Sequence, residues 1–356
     1  MRKLIYLFLL IGQLATAGEV PAYQDRFGRA KPVVAVVGEN SGTELTDFVI
    51  PYGVLARSGA VQLLSVATQT GPLTMRPALK LQPDATTAEF DQRYPQGADY
   101  VIVPAVVKPD DATLVAWVAA KGAKGATVVS ICDGALVVAN AGLFKGKRAT
   151  AHWATESYRK EHYPDTQWIS NIRYVADGKA ISSAGVSAAM PTALALVEAI
   201  AGGARANEVA QQLGVADWST THDSDIFRPR LGTNLTAYIT GYTNQWFHSR
   251  DSIGVPVAAG VDEITLAFTA DAWSRSKRSK VYTVAASAAP LQSLSGLTIV
   301  PDRVQGAADA PDLLPASAGI ALPGKALDRA LEGLEQRYGR RTALLVALEF
   351  EYPSYH

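Results

Sequence analysis

Five successive apolar residues, Val33 to Val37, open the patterned part of the chain. Such a run fits a strand buried on both faces of a parallel sheet. Gly38 to Gly42 reads as a loop. Thr43 to Arg57 then takes helical spacing, with Leu45, Phe48, Val49, Tyr52 and Leu55 on one side and Ser58-Gly59 as the stop. Val61 to Ala67 predicts a second strand, Leu73 to Leu81 a short hairpin, and Tyr100 to Val103 a buried strand closed by Pro104. Asp110 to Lys121 predicts a helix with two aspartates in its first turn, where the helix dipole favours them. A strand over Ala126 to Ile131 and a helix over Ala135 to Ala141 follow. The alternation runs on through Ala149 to His152, Glu156 to Glu161, Trp168 to Val175 and Ala180 to Ser183, and ends in helices at Met190–Ala201 and Ala206–Leu213. Alternating strands and helices imply a mostly parallel sheet with helices on both faces, here an α/β domain over about residues 31–215.

Beyond it the pattern changes. Residues 216–254 are rich in aromatic, Thr, Asn and Ser residues without a clear period, and read as a connector packed on the first domain. Residues 255–356 carry a weak internal repeat. Shifting the chain by 218 residues lays Arg57-Ser58 on Arg275-Ser276, Val66-Ala67 on Val284-Ala285, Pro72-Leu73 on Pro290-Leu291 and Pro83-Asp84 on Pro301-Asp302, with no gap. This part therefore reads as a partial, cysteine-less second copy of the opening half, since a repeated supersecondary unit changes the fold assignment. It would cap the pocket or supply an oligomer surface, a homodimer being the expected assembly. Leu327 to Tyr338 predicts a helix and Ala343 to Phe350 a closing strand.

At the other end, Arg2 and Lys3 precede a short apolar run from Leu4 to Ile11, and Ala15-Thr16-Ala17 has the small-residue pattern of a cleavage site. Residues 1–17 thus read as a secretory signal peptide, cut after Ala17, for a secreted or periplasmic protein. After cleavage no membrane contact is expected.

Composition narrows the function. The 356 residues hold 33 basic and 33 acidic side chains. A chain without net charge has no long-range field to draw in a phosphate backbone, so nucleic acid is not an expected partner. One cysteine, Cys132, excludes an internal disulfide and a multi-cysteine zinc site, and no metal or cofactor motif is present. That cysteine stands where the predicted strand Thr127-Val128-Val129-Ser130-Ile131 meets the helix beginning Gly134-Ala135-Leu136. The geometry expected there is a nucleophile elbow. The N–H groups of the helix start favour an anion and would lower the thiol pKa, and Gly134 would let the backbone pass close to a bound substrate.

The segment SICDGALVVANAGLFKGKRATAHW, followed by YVADGKAISSAGVSAAMPTALALVEAIAG, resembles the ThiJ/PfpI family of the class I glutamine amidotransferase-like fold. The nearest branch contains the amidase-like half of AraC-type regulators and isocyanide hydratase. The resemblance implies a flavodoxin-like parallel sheet sandwiched by helices, with Cys132 as nucleophile, His152 as the family histidine and Asp47 as the buried acid of the first helix. Asp133, Ala105, Val106, Ser183, Ser187 and Thr150 become candidate pocket residues, and Glu44 an alternative to Asp47. Asp133 also reads as a helix cap, His222 as a surface-loop residue, Asp165 as a residue that orients His152, and Arg275 to Lys280 as a solvated helix end. Where the family has a Gly-Gly pair that helps form an oxyanion hole, this chain has Ala105-Val106 after Val103-Pro104, so side chains narrow the approach. The basic helix-turn-helix of the regulators is absent from the carboxy-terminal part, which disfavours transcriptional regulation. Two functions remain: a cysteine-dependent hydrolase or hydratase of a small molecule needing no cofactor, or a non-catalytic ligand-binding or thiol redox-sensing module.

Overall fold

The computed structural model describes residues 19–307, 310–316 and 322–355; the expected signal segment lies outside them. The first unit runs through β1 (Val33–Gly38), β2 (Thr43–Glu44), α1 (Leu45–Ser58), β3 (Gln62–Ala67), β4 (Leu73–Arg76), β5 (Lys80–Gln82), β6 (Ala85–Thr86) and α2 (Thr87–Arg93). It continues with β7 (Tyr100–Val103), α3 (Ala112–Ala123), β8 (Thr127–Ser130), α4 (Gly134–Asn140), β9 (Arg148–Ala149), α5 (Glu156–His162), β10 (Gln167–Trp168), β11 (Tyr174–Asp177), β12 (Ala180–Ser183) and α6 (Ala189–Leu213). A seven-stranded sheet takes the order β11-β12-β8-β7-β1-β3-β6, with every neighbouring pair parallel except β11 with β12. The five central parallel strands follow the flavodoxin-like 2-1-3-4-5 order, so the order reverses between β1 and β7, where α/β sheets form their ligand crevice.

Alternation along β1 explains the layers. Val34 and Val36 enter a core shared with α1 and α6, while Val33, Ala35 and Val37 enter a second core under α3 and α4. α6 is long and apolar enough to cross a bilayer by composition, but its apolar face is packed in the protein. Gly202, at φ 83°, breaks it where the pattern predicts two helices.

The remaining chain forms α7 (Leu235–Phe247), β13 (Asp251–Pro256), α8 (Glu263–Arg275), β14 (Ser279–Ala285), β15 (Leu291–Gln292), β16 (Thr298–Ile299), β17 (Arg303–Val304), β18 (Asp312–Leu313), α9 (Ala326–Tyr338) and α10 (Arg340–Glu349). A shift of 218 residues carries β1 onto β13, β6 onto β17, and α1 and β3 onto α8 and β14 to within one residue at an end. The ladder Val66↔Ala85 returns as Val284↔Arg303, and the Asp84 carboxylate that accepts from the Ser65 N–H and hydroxyl returns as Asp302 accepting from Thr283.

The two copies pack about an approximate two-fold axis. β5 pairs antiparallel with β16, with Leu81 opposite Ile299, its own counterpart. Arg57 at the end of α1 bonds Asp262 before α8; in return Arg275 at the end of α8 bonds Glu44 before α1. Each residue of one bond is the 218-shifted partner of the other, the pattern of an isologous interface drawn within one chain. Thr46 donates to Asp271 at 2.9 Å in the middle of it.

Three expectations change here. Ala343 to Phe350 is not a strand: α10 covers residues 340–349, with Ala343, Val346, Ala347 and Phe350 buried at helical spacing. A continuous apolar run fits strand and buried helix equally, and here the helix packs on α9 and α7. The connector contains α7, whose buried face is Ala237, Gly241 and Asn244, too small and polar to register as an apolar stripe. The second copy begins at Asp251, inside the stretch read as connector.

One hydrophobic core contains Val34 and Ile102 of the first unit together with Ile253, Phe268 and Leu331 of the second. The chain should therefore unfold in a single calorimetric transition, and Ile299→Asp, which buries an unpaired charge on the axis, should cost about 3 kcal/mol or more. Two separate transitions would contradict a shared core.

Candidate active site

The site begins with a steric constraint. A Cβ on Gly134 would lie 2.0 Å from the Val103 carbonyl oxygen and 2.8 Å from the Pro104 carbonyl carbon, so only glycine lets the elbow seat against the end of β7. Gly134 thus packs on backbone; the expected approach to a substrate is not its role. Cys132, one residue beyond the β8–Ile131 run, takes φ 54°, the left-handed region that an L-residue enters at a cost. Its N–H donates to Ser183 Oγ at 3.3 Å, and the Asp133 N–H reaches its sulfur.

Asp47 enters from α1 and is fully buried. Its Oδ2 accepts from the Ala105 N–H at 3.1 Å, while Oδ1 has no partner. Burial holds this carboxyl well above the usual range against that one N–H bond, and the Asp271 and Asp133 charges add to the shift. The Cys132 thiol also lies well above its ordinary value, first through burial and then through Asp47 and Asp133. This corrects the expected depression: α4 offers one N–H to the sulfur, and desolvation with two nearby acids outweighs it.

Cys132 lines a cavity of about 380 Å³ with Glu44, Ala105, Asp133, His152, Trp153, Ala154, Val186, Tyr238, Arg275 and Glu349. His152 starts a short helical turn. Its Nδ1 accepts from the Ala154 N–H at 3.2 Å, and its Nε2 lies 3.3 Å from the Glu349 carbonyl and 3.7 Å from Glu351 Oε1. Asp133 occupies the cap position of α4 without capping it; its carboxylate instead accepts from the Thr155 hydroxyl at 2.6 Å.

The structure thus brings Cys132, His152, Asp133 and Ala105 to one cavity, with Asp47 held behind Ala105 by its N–H. It does not bring the other candidates there. Ser183 lies under the elbow. Thr150 is buried with its N–H on Ser182 Oγ. Ser187 is bound to the Glu351 carbonyl at 2.6 Å. The Val106 side chain joins the second core, and its neighbours Ala105 and Val107 direct their bonds to Glu44 and Gly42. Asp165 pairs with Lys145 at 3.5 Å, not with His152. Glu44 reaches the cavity, yet it is spent on Arg275.

Four groups from beyond the first unit were missed or misread. Arg275 is no solvated helix end: it is mostly buried, holds Asp271 at 2.6 Å as well as Glu44, and faces the cavity. Glu349 lines the same cavity. His222 is not on a surface loop; its Nε2 bonds the buried Glu351 carboxylate at 2.7 Å. Glu351 also accepts from Ser224 Oγ at 3.0 Å and the Trp153 N–H at 3.2 Å, and its side chain fills the space beside Gly185. Only the alignment of Arg57 with Arg275 in the repeat could have pointed to any of these.

Two consequences can be measured. Alkylation of Cys132 by iodoacetamide should be slow at pH 6 and rise only at alkaline pH, and Asp47→Asn should move that rise to lower pH by removing an acid that opposes ionisation. A profile unchanged by Asp47→Asn would place the carboxyl out of reach of the sulfur. For stability, the folded chain keeps the Asp47 proton where the unfolded chain, with an aspartate pKa of about 3.9, has lost it, so folding is weakened as pH rises above that value. Asp47→Asn should therefore melt higher than wild type at pH 7 and lose that advantage below about pH 4.

Comparison with known proteins gives the chain's relatives. The DJ-1/PfpI family model matches residues 32–199. An isonitrile hydratase of Pseudomonas putida is 33% identical over 175 residues, 48% of this chain and 73% of that protein. The HTH-type transcriptional regulator CdhR of Pseudomonas aeruginosa is 34% identical over 99 residues, 28% of this chain and 29% of the regulator. The crystal structure of Drosophila melanogaster DJ-1beta covers 52% of this chain and all of its own, at 22% identity and a TM-score of 0.48.

Proposed function

Because the chain belongs to the DJ-1/PfpI family, we propose that it is a cysteine-dependent hydratase or hydrolase of a small, uncharged molecule, with an isonitrile carbon as the first substrate to try. The observation that carries the reading is a strained cysteine and a histidine lining one cavity, with the buried Asp47 carboxyl just behind Ala105 and one of its oxygens unpartnered. Two buried polar atoms at the site, Asp47 Oδ1 and Trp153 Nε1, have no partner within the protein, and such groups mark places where a ligand or water bonds.

In this reading the resting site holds both protons, on sulfur and on Asp47, since burial raises the proton affinity of each. The thiol adds to the terminal isonitrile carbon: the S–C bond forms, and the carbon takes the sulfur's proton by way of Asp47, giving a thioimidate on Cys132. Water held beside His152 adds to that carbon, its proton passing by way of Asp47 to the nitrogen. The C–S bond then breaks, the sulfur recovers a proton, and the formamide leaves. The sum is one isonitrile and one water to one formamide, with no oxidant or cofactor. An amide would take a different course: the sulfur adds to the carbonyl carbon, the C–N bond breaks as the amine leaves with the sulfur's proton, and water hydrolyses the thioester to the acid and the free thiol. The neutral resting thiol suits a substrate that adds S–H as a unit, and a crevice walled by Ala105 suits a slender one.

Formamide production by the full chain should fall to background in Cys132→Ser. In Asp47→Asn it should fall by about 10²-fold or more, the scale of a lost proton-transfer group. Loss of structure would also expose the buried Cys132 and speed its alkylation, so the melting midpoint is read alongside: slower turnover with faster alkylation in a variant that melts no lower than wild type assigns the effect to the Asp47 carboxyl. Turnover unchanged in Cys132→Ser would refute the proposal. A second reading, a ligand-binding module, draws on the engagement of the Ala105 N–H by Asp47, which takes a donor away from an oxyanion. Saturable binding of the isonitrile without turnover would favour it.

A further inference from the structure

α7 turns its large apolar residues outward. Ile239 is 53% exposed, Tyr242 64%, Trp246 64% and Phe247 75%, and Leu231 just before the helix is 89% exposed. Ile239, Tyr242 and Trp246 follow one another at i, i+3 and i+7, so they share one face, and the Tyr242 and Trp246 rings lie 6.1 Å apart. The opposite face is fixed to the protein. Gly241 admits Leu345 of α10, since a Cβ there would meet Leu345 at 2.5 Å, and Asn244 bonds the Ser276 carbonyl and the Thr342 hydroxyl, each at 3.1 Å. The stripe is therefore held outward by a rigid contact and is not a loosened core face.

Its charge setting is equally particular. No aspartate or glutamate occurs between Ile226 and Arg250, in a chain whose acids and bases otherwise balance. Arg230 stands before the helix, and His248 and Arg250 after it, all exposed. The Asn244–Thr342 bond brings the start of α10, with exposed Arg341, to the same end as Trp246. Arg228 is taken up by Glu156 and Asp225.

We propose that this face docks on an anionic lipid bilayer, with Tyr242, Trp246 and Phe247 entering the interface and Arg230, Arg250 and Arg341 meeting the headgroups. Aromatic side chains favour that boundary, and basic groups around an apolar face add attraction to anionic lipid. A second copy is the poorer occupant. Its own α7 would bring the same arginines against these, with no acid in either segment to pair them. The proposal departs from the expectation of a chain without membrane contact, and it is independent of the chemistry at Cys132.

Trp246 is the exposed one of the six tryptophans, and residues 1–17 contain none, so lipid quenching reads this face alone. The full chain is mixed with vesicles of chain-brominated phosphatidylcholine, with and without phosphatidylglycerol. Emission should be quenched on the anionic vesicles, recover in high salt, and stay unquenched on phosphatidylcholine alone. Trp246→Phe should abolish the quenching while retaining sedimentation with the vesicles. Tyr242→Ser with Phe247→Ser should weaken that sedimentation at least tenfold without moving the melting midpoint. Equal emission with and without anionic lipid, or quenching that persists in Trp246→Phe, would overturn the proposal. So would a dimer in light scattering that the Tyr242→Ser/Phe247→Ser variant splits, which would assign the stripe to a second copy.

Discussion

The Val103 carbonyl oxygen occupies the place where a side chain at position 134 would begin. That contact pins the turn after β8 against the end of β7, and the rest of the site follows from it. Cys132 is driven into the left-handed region, a strain of about 1–3 kcal/mol that only over-determined surroundings maintain. The Asp133 N–H is thereby aimed at the sulfur, and the Ala105 N–H, just past the pinned segment, is left to hold Asp47. Three strands thus deliver their C-terminal ends to one spot, beside the reversal of strand order between β1 and β7.

The second copy changes what such a site can be. Packed through α1 and α8, it covers the first unit as a twin subunit would, but its sequence is free to differ. At the position of Asp47 it carries Thr265, and it has no elbow. In exchange it sends Arg275 into the cavity and, through the chain end after α10, Glu349 and Glu351. Arg275 is bound by Glu44 and Asp271 and lies 3.8 Å from Glu349, so its charge is already spent within the protein. The wall it builds is polar but offers no free cation to an anionic substrate.

Much of this was legible in the chain. The apolar runs at Val33, Tyr100 and Thr127, short and set between helical patterns, read as buried parallel strands, and a 218-residue shift, read from pairs such as Pro83-Asp84 on Pro301-Asp302, places β13, α8 and β14 closely. Cys132, His152 and Asp47 were named from motif order. What escaped was tertiary. Whether Arg275 faces solvent depends on a carboxylate at residue 44, over two hundred positions away. His222 and Glu351 look like loop polar residues until the chain end folds back over Gly185. The α7 pattern was inverted, with small residues inward and aromatic ones outward, so amphipathic reasoning found no helix. The thiol's ionisation was misjudged because the sequence shows the helix start and names Asp47 and Asp133 beside it, but not the burial that, together with those acids, outweighs the helix start.

The most direct test of the account is rapid-quench mass spectrometry of the intact chain mixed with a small isonitrile. The account predicts a transient adduct of the isonitrile's mass, located by peptide mapping at Cys132, accumulating when His152 is replaced and forming more slowly when Asp47 is. Formamide formed with no covalent species on Cys132 at any time point would contradict it.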